Sequence, residues 1–559
     1  MTEFACVRRG YLKAFSITAA IVGVLPIGSA VAQDGTDKLW KAPSGIVTEF
    51  SVGAMRGKAQ EFVYNPDGST LSRLDWTFDN VAMFNAHSSF QVLPWLKFGA
   101  RGSTNLTDSS GMDDFDFNLL GCPPPDLTCH SNHPSTRLRQ ARTFEIYGAA
   151  DFYRRGGLTF SALAGYKDTF YQWAAIGGTA NYGPLPPGLG ISYEQSWSTP
   201  YIGLAFSSTR DEWTLSGRLI GSTWAQGDGK DNHHLRSLRF DDKYDSTNML
   251  AADVGVAYRV NRHVSVTADY RFERWGTGKG PTTITDYIGG GSVVIPGNAA
   301  GGNAETHAIS LGLKVDLHPA HAAPGYKDSY AGPVAVWTGW NVGIGGGYDW
   351  QRNGWTTTSL AAGGVVVDPS SASADFNDSG SRASIFLGRT WQRDNFVFGL
   401  EGDFSKSNAS SMHLGIHGVI PAALQPLMSD ATVVGSGYDG SLRVRAGMLM
   451  TPSLLLYATG GVAFQQTKAS VSCPDGLAAA SWCVAGPKHE EISKWNVGWT
   501  AGAGYEMAFA SNWFTRGEYR YTSVGSFDHT FFAATPIDDV SATIDPSSHR
   551  ITFSVGYRY

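Results

Sequence analysis

The sequence predicts an all-β fold built as two antiparallel transmembrane barrels in tandem, about ten strands and then about eight. Three observations predict it. Charged residues are only 16% of the chain and aromatics 12%, and 67 of its 559 residues are glycine, which describes strands and turns with few helical surfaces. Apolar and polar residues alternate with period two over long stretches, the pattern of strands with two different faces. The links between these stretches come in two lengths that take turns, as in barrels with short turns at one end and long loops at the other.

Taken in order, the chain opens with Arg8, Arg9 and Lys13, an apolar run from Ala14 to about Ile27, and Ala30-Val31-Ala32 before the polar Gln33-Asp34. This reads as a secretory signal peptide over residues 1–32 with an A-x-A cleavage site. Its apolar run is too short to span a bilayer, and no later segment approaches the ~18 consecutive apolar residues of a transmembrane helix. Membrane insertion therefore has to use strands. Residues 33–317 form the first barrel, with about ten strands between Ile46 and Leu317. Its clearest strand alternates Val264, Val266, Ala268, Tyr270 and Phe272 with Ser265, Thr267, Asp269, Arg271 and Glu273. Short links at Leu93-Pro94, Arg154 to Gly157, Thr209 to Glu212 and Asn261 to His263 alternate with long ones near 106–137, 173–189, 228–246 and 276–302.

The alternation stops at His318 and runs through Pro319 to Gly325 before resuming near Val336. Because an even strand number returns the chain to its starting side, residues 318–335 read as a periplasmic linker. Residues 336–559 form the second barrel. A single porin-like barrel of about eighteen strands is the rival, and the long proline-bearing break opposes it. In the second half Phe396, Phe398, Leu400 and Phe404 face out while Glu401 and Asp403 face in, opposite Arg443 and Arg445, with Arg516, Glu518 and Arg520 to follow. That lattice predicts a plugged barrel more than an open channel. Gly343 to Gly347 imitates a nucleotide loop but lies in a strand with no helix after it, so it reads as barrel glycine. The last strand alternates Ile551, Phe553, Val555, Tyr557 and Tyr559 with polar residues and resembles the C-terminal sorting signal of bacterial outer-membrane barrels.

Net charge is −6 with the basic signal peptide included, and neither this value nor the more acidic mature chain suggests a nucleic-acid partner. Cys6 leaves with the signal. Cys122 with Cys129 and Cys473 with Cys483 are local pairs in polar loops, expected to form disulfides outside the cytoplasm. Zinc is the competing reading, and neither pair has close C-x-x-C spacing.

Chemistry concentrates in two motifs, Asp114-Phe115-Asp116 and Asp231-Asn232-His233. Strand parity puts both in long loops at the extracellular mouth of the first barrel, where they can face one another. An acid beside a histidine is expected to raise the imidazole pKa and hold the ring as a general base, while a facing carboxylate pair holds the other side of a water and shares a proton. With water as the nucleophile no serine or cysteine is needed, and no metal or cofactor is expected. Alone, each motif is ordinarily solvated acid, or in Asp113 to Asp116 and Asp228 to Asn232 a calcium loop. Their co-occurrence at one mouth gives them weight.

From about Val47 to Leu317 the chain resembles the omptins, ten-stranded outer-membrane endopeptidases. The likeness is carried by Gly57-Lys58 with Glu61 and Tyr64, Leu74-Asp75-Trp76, Met112 to Phe117, His133-Pro134, Ala164-Gly165-Tyr166, Pro200 to Leu204 and Asp231-Asn232-His233. The resemblance implies an aspartyl-type endopeptidase in which Asp114, Asp116, Asp231 and His233 are catalytic. It implies that Glu61 helps accept a basic side chain of a polypeptide substrate. Gly229 stands where a second such acid is usual, and Asp228 is expected to compensate. Many omptins need lipopolysaccharide and bind its phosphates through arginines on the outer wall; Phe170 and Ser196 occupy the expected basic positions, so the matching arginines are not found and dependence on that lipid is left open. From about Trp337 to Tyr559 the chain resembles small alphaproteobacterial outer-membrane barrels related in architecture to the OmpA barrel, through Trp337 to Trp340, Tyr457 to Gly461, Tyr519 to Tyr521 and Tyr557-Arg558-Tyr559. That family brings no catalytic residues. The expected protein is thus a Gram-negative outer-membrane endopeptidase facing the exterior, embedded in outer-membrane lipid, with a non-enzymatic structural or ligand-binding double barrel as the alternative. Oligomeric state and contact between the barrels are left open.

Overall fold

The structure, a computed structural model, describes residues 44–316 and 337–559, apart from 119–121, 125–126, 262, 288–289, 361–364, 367–371, 417–418, 421–430, 474–485, 509–511 and 536. The signal peptide, the linker 318–335 and Cys483 lie outside the described residues.

The first half closes into a ten-stranded antiparallel barrel. Its strands are β1 (Ser44–Tyr64), β2 (Thr70–Leu93), β3 (Leu96–Asn105), β4 (Arg137–Arg155), β5 (Leu158–Ile176), β6 (Leu189–Arg210), β7 (Trp213–His233), β8 (Leu238–Arg259), β9 (Val264–Asp286) and β10 (Gly291–Asp316). Each pairs with its sequence neighbours, and β1 pairs with β10 to remove both edges. The second half repeats this with eight strands: β11 (Gly339–Leu360), β12 (Ser373–Arg393), β13 (Phe396–Ser407), β14 (Ala431–Thr451), β15 (Leu454–Cys473), β16 (Lys488–Ala508), β17 (Trp513–Val524) and β18 (Val540–Arg558), closed by β11 against β18. Closure satisfies the backbone groups that lipid cannot.

Strands are longer than the alternation alone indicates. β7 runs 21 residues to His233 and β8 starts at Leu238, so most of the expected 228–246 loop is paired backbone. Crossing a bilayer takes about 9–11 strand residues, so the remainder stands above the membrane. Polar composition there marks a wet surface and not an irregular backbone.

Outward side chains are apolar and exposed, as at Leu204, Ile309, Leu311, Leu442 and Val444. Inward ones include matched sets of charges. In the first barrel Glu145 accepts from Tyr201 at 2.5 Å and from Arg218, while Asp253 accepts from Arg218 and Arg271, both at 2.7 Å. In the second, Glu401 accepts from Arg443 at 2.6 Å, Arg445 at 3.1 Å and Arg516 at 2.8 and 2.6 Å, and Arg443 reaches on to Glu518 at 3.0 Å. Both cores are filled with ion pairs, as the second-half pattern predicts.

The barrels touch. Phe50, Phe84 and Val315 of the first pack with Val555 and Ile344 of the second. Gly346 makes room for this, because a Cβ there would lie 2.5 Å from the Phe84 ring. Higher up, Asn408 Nδ2 donates to Thr104 Oγ1 at 2.8 Å and Asn105 Oδ1 at 2.7 Å, and Arg142 donates to the Tyr348 hydroxyl at 3.1 Å. Lower strand ends meet lower ends and upper meet upper, so both barrels cross in the same sense.

Removing Glu401 would leave three buried guanidinium groups without their shared acceptor. Glu401→Ala is expected to destabilise the second barrel by about 3–5 kcal/mol, measured as a lower urea midpoint in equilibrium refolding followed by heat-modifiable gel mobility.

Candidate active site

The upper end of β7 supplies the dyad. Residues 229, 231 and 233 point inward by strand alternation, leaving Asp231 1% and His233 8% exposed. His233 Nε2 lies 2.5 Å from Asp231 Oδ2. The ring is held edge-on by Phe240 of β8 at 5.4 Å. A 3₁₀ turn, His234–Arg236, then folds the Arg236 guanidinium back to donate to His233 Nδ1. Beneath the turn, Ser192 lies 2.9 Å from His234 Nε2 and accepts from Asn232 at 3.1 Å, which fixes the end of the strand.

The acid pair comes from a short strand, Met112–Asp116, that pairs with the top of β2, setting Asp114 beside Leu74 and Asp116 beside Ser72. On its other side lies Cys129–His133, and the Cys122–Cys129 disulfide ties this hairpin. Ser72 Oγ donates to Asp114 Oδ1 at 3.4 Å. Asp113 points away from this face, to His130 and Asn132, each at 2.9 Å. The motif is therefore a strand with two faces, where an extended loop was expected.

Electrostatics links the two motifs. Burial, with the nearby Asp116 and Asp231 charges, pushes Asp114 up to about 8 against the opposing pull of Arg236. His233 shifts the other way from expectation. Burial and the Arg236 charge hold its imidazole below the usual range, outweighing Asp231, so the ring is neutral near pH 7. The expected acid-stabilised imidazolium neglected both the desolvation of the ring and an arginine three residues on.

Glu61 projects from β1 beneath the quartet, 2% exposed. Burial raises its carboxyl well above the usual range, helped by Asp231, Asp242 and Asp114. Asp228 faces outward, alternating with the inward positions 227 and 229 above the register shift near Ala225, and pairs with Lys243 on the exposed surface. Asp228 and Asp231 thus leave β7 on opposite faces, which does not build a calcium cage from that segment. The inward acid next to Gly229 is Asp242 of β8, its direct partner across the ladder. Phe170 and Ser196 line a cavity of about 1260 Å³ between the two barrels, and the Arg142 guanidinium stands over the Phe170 ring at 4.9 Å. Arg236, Asp242 and Arg142 were missed in the sequence, since only strand register and turn geometry bring them to these places.

Comparison with known proteins agrees with this architecture. The family model described as "Omptin family" matches residues 42–317, and that described as "Outer membrane protein beta-barrel domain" matches 354–559. The plasminogen activator of Yersinia pestis is 31% identical over 312 residues, covering 54% of this chain and 99% of that protein. Outer membrane protease OmpP of Escherichia coli (strain K12) is 30% identical over 269 residues, covering 46% and 85%. The second half is similar to the 25 kDa outer-membrane immunogenic protein of Brucella melitensis, 29% identical over 241 residues, covering 43% and 84%. Through its first barrel the chain belongs to the omptin family of outer-membrane proteases, and through its second it carries an outer-membrane β-barrel domain.

Proposed function

We propose that the first barrel hydrolyses polypeptides at its extracellular mouth, next to basic side chains, with a water activated by the Asp231–His233 dyad and oriented by Asp114 and Asp116. The observation that carries this is the buried, neutral imidazole, bonded to one aspartate and facing a carboxylate pair in which Asp114 is shifted to about 8.

With Nε2–H engaged by Asp231, the lone pair on His233 Nδ1 is the proton acceptor. Arg236 donates to that nitrogen, so an attacking water has to displace the guanidinium to use it. Asp231 holds the ring and stabilises the imidazolium as it forms. Across the mouth, Asp114 is the member of the pair that keeps its proton near neutrality, because two adjacent carboxylates cannot both ionise cheaply. A protonated Asp114 can donate a hydrogen bond to the reacting carbonyl oxygen and keep its proton, while Asp116 accepts a hydrogen bond from the water. His233 then returns its proton to the leaving amine. The four residues balance one proton in and one proton out without a covalent intermediate.

Refolded protein presented with a quenched Arg-containing peptide is expected to cleave it, and the Asp114→Ala/His233→Ala double variant to lose at least about 10²-fold in kcat/KM. Equal turnover by both, or none by either with and without lipopolysaccharide, would refute the mechanism.

The pH profile follows from the two shifts. Activity falls on the acid side only as the imidazole charges, below the ordinary histidine range, and on the alkaline side as Asp114 loses its proton near about 8. Arg236→Ala removes a charge that depresses His233, so its pKa rises and the acid limb of kcat/KM is expected to move to higher pH. An acid limb that stays put in stopped kinetic assays across pH 4–9 would count against His233 as the base.

A further inference from the structure

Next to the quartet, two buried carboxylates from different strands lie among aromatic and amide side chains, near enough for the Asp242 charge to act on Glu61. Glu61 comes from β1 and Asp242, 3% exposed, from β8. One Glu61 oxygen, Oε2, is buried with no hydrogen-bond partner. Asp242 accepts from the Tyr244 hydroxyl at a long 3.4 Å. Around them stand the Tyr193 and Tyr244 hydroxyls, 3.0 Å apart, and Gln195 Nε2, which donates to the Tyr193 hydroxyl at 3.1 Å. The charges that reach Glu61 are those of Asp231, Asp242 and Asp114, all negative.

This arrangement differs from Glu145, Glu273, Glu401 and Glu506 in the barrel stems, each of which meets a guanidinium or ammonium group. A buried carboxylate pair without a base is stable only with a proton or a cation. Gly229 leaves room for the second acid by subtraction. A Cβ at that position would run into the Tyr244 hydroxyl and stand 3.2 Å from Asp242 Oδ2, so the cross-strand residues fill the space that a side chain on β7 would take.

We infer that Asp242, reaching across the β7–β8 ladder into the space beside Gly229, is a specificity-determining residue that together with Glu61 binds the cationic side chain adjoining the scissile bond. The inference deepens the protease reading and rests on it. Asp242 does not touch the reacting atoms, so it governs which substrate binds and not the chemical step. Burial first, then neighbouring acids, pushes its carboxyl up to about 7, opposed by hydrogen bonds from Thr282 and Tyr244. Preference for a cation is therefore weaker below that pH, where Asp242 holds a proton, and stronger above it.

The test compares two quenched peptides that differ only in arginine against citrulline, an uncharged isostere, at the site of cleavage. In the full-length refolded protein the arginine peptide is expected to be preferred. Asp242→Asn should cut that preference roughly tenfold or more, through a larger rise in KM for the arginine peptide than for the citrulline peptide. Asp242→Glu should retain most of it. Heat-modifiable mobility checks that each variant is folded. An active wild type whose arginine-to-citrulline ratio is the same in Asp242→Asn overturns the inference alone, as does an equal loss on both peptides. A wild type that cleaves neither peptide refutes the protease reading and this inference with it.

Discussion

Closure of the antiparallel ladder is the constraint on which the rest depends. With no water in the bilayer core, each backbone N–H and C=O has to be met by a neighbouring strand, and a closed ring of strands leaves no edge unmet. Closure imposes period two on every side chain. One parity faces lipid, as Ile309 and Leu311 do, and the other enters a narrow interior where Glu145, Arg218 and Asp253, or Glu401, Arg443 and Arg516, can persist only as matched sets. The ion-pair stems follow from closure and are not an independent design element.

The same physics gives a different outcome at the extracellular end of the first barrel. Burial continues upward along strands that outrun the membrane, but acids there outnumber bases. Arg236 is the guanidinium that acts on Asp114 and His233, while the charges that reach Glu61 are those of Asp231, Asp242 and Asp114. Unmatched burial shifts carboxyl groups upward and the imidazole downward, which yields groups able to exchange protons near neutrality. Structural and chemical parts of the barrel are thus made from the same residue types, and local charge balance separates them.

Strand register also bears on how departures from a family pattern are read. Gly229 lacks an expected acid, yet Asp242 lies directly across from it; Phe170 replaces an expected base, yet Arg142 is its ladder partner and its guanidinium stands over the ring. Cβ atoms of facing residues are only about 5 Å apart, so charge can move between adjacent strands and stay at one place in space. The second barrel is part of this region too. It seats against the outer wall through Phe84 and Gly346 and meets Arg142 through Tyr348, which gives the glycine run Gly343 to Gly347 a packing role.

Alternation, link lengths and the Pro-rich break were enough for the sequence to determine two closed barrels, their strand numbers, the lipid and core faces, and the placement of Asp114, Asp116, Asp231 and His233 at one mouth. These are local or parity properties, and period two makes them readable one strand at a time. Strand length was misjudged because wet β-structure has the composition of a loop. Only the tertiary structure decided that Asp228 turns outward while Asp242 turns in, that Arg236 folds back onto His233, that the imidazole is depressed instead of raised, and that the barrels touch. Each of these depends on which residues face one another across a ladder or are desolvated together, and such pairings are set by register and burial, which no stretch of sequence contains by itself.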